Sequence, residues 1–166
     1  MPPSTSKRIV LYRWDRQPED GIIDPSSYLL DNRLEWITLE GRLQLCPFES
    51  CKAVCFVSEN GKADLFTHGN VFTARPRVPG LWTRFLFRDG AVLDGILSPN
   101  LLEWPGSGFF IVPPQAKATR QKVFIPKAAL IATELRGVVG AGAKALGQTP
   151  DSKPGDEVRQ LSIFDV

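Results

Sequence analysis

Three thiols, Cys46, Cys51 and Cys55, stand in a C-x4-C-x3-C spacing. Thiolates are the side chains best suited to hold a soft metal or to attack an electrophile. A structural zinc takes four ligands, usually from paired two-residue spacings. The fourth would have to be His68, the only histidine, which lies in LFTHGNVF beside a turn at Gly69-Asn70. No serine or cysteine motif accompanies that histidine in the manner of a nucleophile and its base. The carboxylates of Asp20 and Asp94 each precede a glycine, which suits a turn or bulge in which glycine supplies a conformation that other residues avoid. GVVGAGAKALG has neither the spacing of a phosphate-cradling loop nor the strand that would have to precede it. The expectation is a non-enzymatic protein with no catalytic residues, no metal and no cofactor.

Two stretches are locally basic. QAKATRQKVFIPK holds Lys117, Arg120, Lys122 and Lys127 without an acid, and TARPRVPGLWTR holds Arg75, Arg77 and Arg84 around Trp82. Cations interleaved with aromatics can follow a nucleic-acid backbone and stack its bases. Small β-barrels also place Lys and Arg on solvated edges, where they discourage edge-to-edge pairing. The net charge of +2 announces no polyanionic partner. Nucleic-acid binding through these seven residues is therefore kept as an alternative function.

The elements that would carry these residues follow from an internal repeat. DGIIDP at residues 20–25 returns as DGILSP at 94–99. VLYRWDRQPE before the first copy aligns with FLFRDGAVL before the second, and QLCPFESCKAVCFV with KVFIPKAALIATEL, Pro47 falling on Pro126. A repeat of roughly seventy-five residues spans most of 8–136. In that alignment Cys46 meets Ile125 and Cys51 meets Leu130, so these cysteines read as small buried hydrophobes.

Each copy begins with an alternating strand, residues 8–14 and 82–88. A strand with the Asp-Gly pair comes next. LLEW-PGSG-FFIV then reads as a hairpin in the second copy, with YLLDNRLEWITL as its weaker counterpart. A strand ending at proline, a short turn and a last apolar strand complete the unit. Trp14, Trp36, Trp82 and Trp104 all fall in or beside these strands and are expected to pack in the core or between the repeats.

Four strands and a one-turn helical kink before a fifth resemble SH3-like and Sm-like small barrels. The expected fold is all-β: two tandem barrels at residues 7–58 and 80–137, a packed connection at 59–79, and a disordered tail at 138–166. VFIPKAAL, the DG strand, and VCFV followed by VFTARP and GLW also resemble uncharacterised bacterial proteins built from PilZ- and Sm-related barrels. That resemblance implies no activity. PilZ domains that bind a cyclic dinucleotide carry an Arg-x-x-x-Arg segment, and Arg84-Phe-Leu-Phe-Arg88 has this spacing, but inside an apolar strand. Their later Asp/Asn-x-Ser-x-x-Gly motif is missing; Asp24-Pro-Ser-Ser-Tyr-Leu29 lacks the glycine. A PilZ-like small-molecule sensor is the third functional alternative.

GQTPDSKPGDEVR has the breakers and charges of a linker and no aromatic residue. QLSIF follows it. Gln160, Leu161, Ser162, Ile163 and Phe164 resemble the pentapeptide Gln-Leu-Ser/Asp-Leu-Phe by which bacterial replication and repair proteins bind the sliding clamp, with Ile163 in place of the preferred Leu. The resemblance implies a protein partner held by an extended peptide in an apolar groove. A last strand folded back on the barrels is the other reading of this tail. No secretory signal follows MPPSTSKR and no run of about eighteen apolar residues could cross a bilayer. An odd number of cysteines argues against a disulfide framework. A cytoplasmic binding or adaptor protein is expected.

Overall fold

Apolar strand-forming residues set the first strand of each half, as an alternating pattern in the second and as a run buried on both faces in the first. Lys7–Arg13 (β1) and Gly80–Phe87 (β6) are β-branched and aromatic, and β6 turns Thr83, Phe85 and Phe87 inward. In this computed structural model, which describes residues 6–58, 64–67, 69–114 and 122–140, ten strands form one antiparallel sheet. The remaining strands of the first half are Glu19–Ile23 (β2), Arg33–Thr38 (β3), Leu43–Pro47 (β4) and Cys51–Phe56 (β5). Those of the second half are Val92–Leu97 (β7), Gly108–Val112 (β8), Lys122–Pro126 (β9) and Leu130–Val139 (β10). The all-β expectation holds.

The strand order is β10-β6-β7-β8-β9-β5-β1-β2-β3-β4. Within it the first half runs β5-β1-β2-β3-β4 and the second runs β10-β6-β7-β8-β9, the same connectivity twice. The device that repeats it is local. Pro47 and Pro126 end their strands with φ near −60°, and each opens a single 3-10 turn, Phe48–Ser50 or Lys127–Ala129. Each turn closes with the same hydrogen bond, Cys51 N–H to Phe48 O and Leu130 N–H to Lys127 O. The chain then re-enters the sheet beside the first strand of its own half.

The two halves meet where β5 pairs with β9: Val54 opposite Phe124, Cys55 opposite Val123 and Phe56 opposite Lys122. Both faces of this junction are buried. Ile9, Leu11, Val54 and Phe124 join the core of the first half. Val10, Tyr12, Ala53 and Cys55 point the other way and pack with Phe85, Phe87 and Leu65 in the core of the second. Alternate residues of β1 and β5 thus serve opposite cores. The connection between the halves is packed where it is described, since Leu65 is buried and Phe66 makes edge contacts with Tyr12 and Phe87.

Two expectations are corrected. LLEW is not a strand. Leu101–Glu103 is a 3-10 turn, capped by the Asn100 side chain, which accepts from Leu102 N–H at 3.2 Å. An Asn side chain that bonds the backbone locally competes with a ladder, and Pro99 and Pro105 on either side remove two donors. β8 pairs with β7 and β9 instead. The Asp-Gly pairs lie inside strands, as the repeat predicts, but the glycines do not serve a turn or bulge: neither has a positive φ, and Gly21 pairs with Ile9 and Gly95 with Thr83 in regular ladders.

The glycines are there for space. A Cβ at Gly95 would fall 2.5 Å from Ile111 Cδ1, and one at Gly21 would collide with the ring of Trp36. Ile111 and Trp36 are themselves buried, so neither can withdraw. Gly95→Ala is expected to lower stability by about 1–3 kcal/mol, the range for overpacking a filled core. A denaturant midpoint measured for the variant checks this; a midpoint equal to wild type would show that the site has slack.

Candidate functional site

Three clusters among the described residues bring ionisable groups into buried or half-buried positions. The first is the β6–β7 ladder. Arg84 pairs directly with Asp94, and its guanidinium grips the carboxylate with Nε at 2.7 Å and Nη2 at 3.1 Å. Asp94 is fully buried. Its oxygens also accept from the Trp82 indole at 3.2 Å and from Phe72 N–H at 3.1 Å. Burial alone would raise the Asp94 pKa, but Arg84 and the two neutral donors outweigh it and hold the carboxyl below its ordinary value. The Arg84 pKa is raised by the same bond. Asn70 lies alongside, taking Asp94 N–H on its carbonyl and donating its side-chain amide to Val92 O.

The second place is the junction. Lys52 is buried in an otherwise apolar strand and reaches across to Asp89 of the second half at 2.5 Å. Its ammonium sits 4.0 Å from the Phe66 ring centre. Trp14 donates its indole N–H to Glu49 O, and Arg88 lies 4.7 Å over the Trp14 ring while donating to the same carbonyl. Burial opposes ionisation of Asp89, but the Lys52 bond lowers its pKa overall. A lysine inside CKAVCF is the sequence signal for this cluster, because a buried ammonium requires a carboxylate partner.

The third is the sulfur pair at the foot of the first half. Cys46, Cys51 and Cys55 are all buried free thiols. The Cys46 and Cys51 thiols interact, which pushes the Cys51 thiol up and draws Cys46 down, helped by the nearby Arg13 guanidinium, and Cys46 Sγ lies 3.6 Å from Pro47 O. Arg13 in turn faces Glu19 at 3.6 Å. Burial raises Cys55 to about 12. Among the described residues no three or more His, Cys, Asp or Glu are placed to hold a metal ion. His68 lies outside the described residues.

A shallow groove of about 260 Å³ opens on the second half, lined by Val78, Ile96, Trp104 and Ile111 with Glu103 and Lys122 among them. Trp104 is fixed there by its indole bond to Ser98 O at 2.8 Å and by edge contact with Phe109. Its lining is mostly apolar, with one acid and one base.

Several of the basic residues singled out from the sequence have partners within the chain. Arg84 is committed to Asp94, Arg75 donates to Val138 O at 2.7 Å, and Lys122 lies 4.5 Å over Phe110. Arg77 is exposed, Lys127 sits in the 3-10 turn at 5.9 Å from the Phe109 ring, and Lys117 and Arg120 lie outside the described residues. Gln160, Leu161, Ser162, Ile163 and Phe164 also lie outside them. No described helix is long and apolar enough to cross a membrane. Comparison with protein families matches residues 5–137 to one described as a family of unknown function (DUF6982). No curated protein and no solved structure matches the chain.

Proposed function

The chain belongs to that family of unknown function, and we propose that it is a non-enzymatic binding protein whose β body is tethered through Gln160–Phe164 to a DNA sliding clamp. The observation that carries the reading is QLSIF itself, four of five positions matching the clamp-binding pattern, preceded by the breaker-rich GQTPDSKPGDEVR. The body is consistent with a scaffold. Two of its perturbed carboxylates, Asp94 and Asp89, are held by the chain's own Arg84 and Lys52. The repeated five-strand order with a 3-10 turn before the last strand supports reading each half as an SH3/Sm-like barrel. Such a pair offers strands and grooves for binding without chemistry.

In this reading Gln160 bonds the backbone of the clamp, while Leu161 and Phe164 fill an apolar pocket. A short peptide that orders on binding reaches about micromolar affinity, roughly −8 kcal/mol. Leu161→Ala with Phe164→Ala empties that pocket, and each fully buried side chain contributes roughly 1.5–3 kcal/mol. Fluorescence anisotropy with a purified bacterial clamp is expected to show saturable binding of the wild type. It should show at least a hundredfold loss in the double variant, about 2.7 kcal/mol or more. Equal binding by the two proteins would refute the tether.

A further inference from the structure

We infer that β10 of one copy pairs with β4 of the next, so that the chain assembles head to tail by repeating, between molecules, the junction that joins its own two halves. Among the described residues the sheet ends at β10 on one side and β4 on the other. In the repeated strand order β10 is the counterpart of β5, and β4 is the counterpart of β9. Inside the chain those counterparts are the strands that pair. Each free end is therefore half of a junction whose complement lies at the opposite end of the same molecule.

Burial marks both ends as unfinished. Cys51, Lys52, Ala53, Val54 and Cys55 of β5 are all buried, whereas residues 131–136 of β10 are all exposed. Ile131 and Leu135 of β10 are 65% and 62% exposed. On β4, Leu43 and Leu45 are 62% and 45% exposed, with Ile37 of β3 directly opposite Leu43 and also exposed. Edge strands are normally guarded by charge, proline or a covering element. These two present aliphatic side chains at both ends of one sheet.

The register follows from the shared proline and 3-10 turn. Counting back from Pro47 and Pro126, Leu45 takes the place of Phe124, Gln44 of Val123 and Leu43 of Lys122. Counting on from the turns, Thr133 takes the place of Val54, Glu134 of Cys55 and Leu135 of Phe56. The intermolecular ladder is then Thr133 opposite Leu45, Glu134 opposite Gln44 and Leu135 opposite Leu43. Within the chain Phe124 of β9 enters the core of the first half; Leu45 would cover the second half of the next molecule in the same way. Arg136 and Arg42 would come opposite one step beyond this three-residue ladder, and Arg136 is already bound to Glu134 at 3.0 Å. A contact between two different edges is heterologous, so it propagates into a closed ring or an open filament instead of stopping at a two-fold dimer.

Sedimentation velocity on the full chain, from about 1 μM to about 100 μM, is expected to show growth beyond dimer with concentration. Leu43→Lys with Leu45→Lys blocks one edge; Ile131→Lys with Leu135→Lys blocks the other. Each variant alone should remain monomeric. Mixed one to one they should form a single heterodimer, because each keeps the edge that the other lacks. The substitutions are at exposed positions, and an unchanged melting temperature shows that the fold is intact. A wild type monomeric across the whole range overturns the inference, and that result needs no variant to fold. So does a single-edge variant that still self-associates, or a mixture that stays monomeric.

Discussion

Asp94→Ala is expected to lower the stability of the fold by roughly 3 kcal/mol, the lower end of the range for removing one partner of a buried ion pair. The lower end applies because the Arg84 side chain remains 31% exposed and recovers some hydration. The substitution leaves three donors behind: the Arg84 guanidinium, the Trp82 indole N–H and Phe72 N–H. Chemical denaturation of the variant against wild type measures the difference. The same carboxylate gives a pH dependence of definite sign. Its pKa is lowered in the fold, so the unfolded chain binds the proton more readily. The stabilisation is fully present above the unfolded-state value of about 4 and is lost as pH falls below it through the folded value. Asp94→Asn should flatten that acid limb of the stability curve. An unchanged limb would show that other carboxylates govern it.

Phe124→Ala is expected to cost about 3–5 kcal/mol, as truncation of a fully buried aromatic does. Phe124 is carried by β9 in the second half, yet it packs in the core of the first, against Phe48 and Phe110, opposite Val54. Its loss should therefore loosen both halves together. Amide exchange is the discriminating measurement: protection should fall in β5 and in β9 alike. A loss of protection confined to the second half would mean that the junction is not part of the first core.

How much of this was legible in the sequence depends on the range of each interaction. The apolar run of β1, the alternation of β6 and the recurrence of Pro47 and Pro126 before a short turn are local signals that locate these strands and kinks. The Asp-Gly repeat was visible, but its reason was not. Gly21 and Gly95 are small because Trp36 and Ile111 of the adjacent strand lie across them, a contact that appears only once the register is known. LLEW carries the apolar run of a strand, and Asn100 with the flanking prolines turned it into a 3-10 turn. The pairing of β5 with β9 brings together residues about seventy positions apart, which no window on the sequence can register. The Arg84–Asp94 bond was half visible. Taken singly, Arg84 reads as a contact for nucleic acid and Asp94 as part of a glycine turn, and their direct pairing across the β6–β7 ladder joins them. The resemblance to the clamp-binding pentapeptide rests on the residue types Gln160, Leu161, Ser162 and Phe164 alone.

The claim at the centre of this account is that partner binding resides in Gln160–Phe164 and stability resides in the body. Truncation after Arg159, studied in parallel with the full chain by thermal melting and by calorimetric titration of a bacterial sliding clamp, tests both parts at once. The account predicts a nearly unchanged melting temperature, since a tether outside the core contributes little to stability, together with complete loss of binding heat. A melting temperature lowered by many degrees would make the segment a structural strand. A full-length chain that gives no binding heat at tens of micromolar, well above the expected dissociation constant of about 1 μM, would contradict the claim outright.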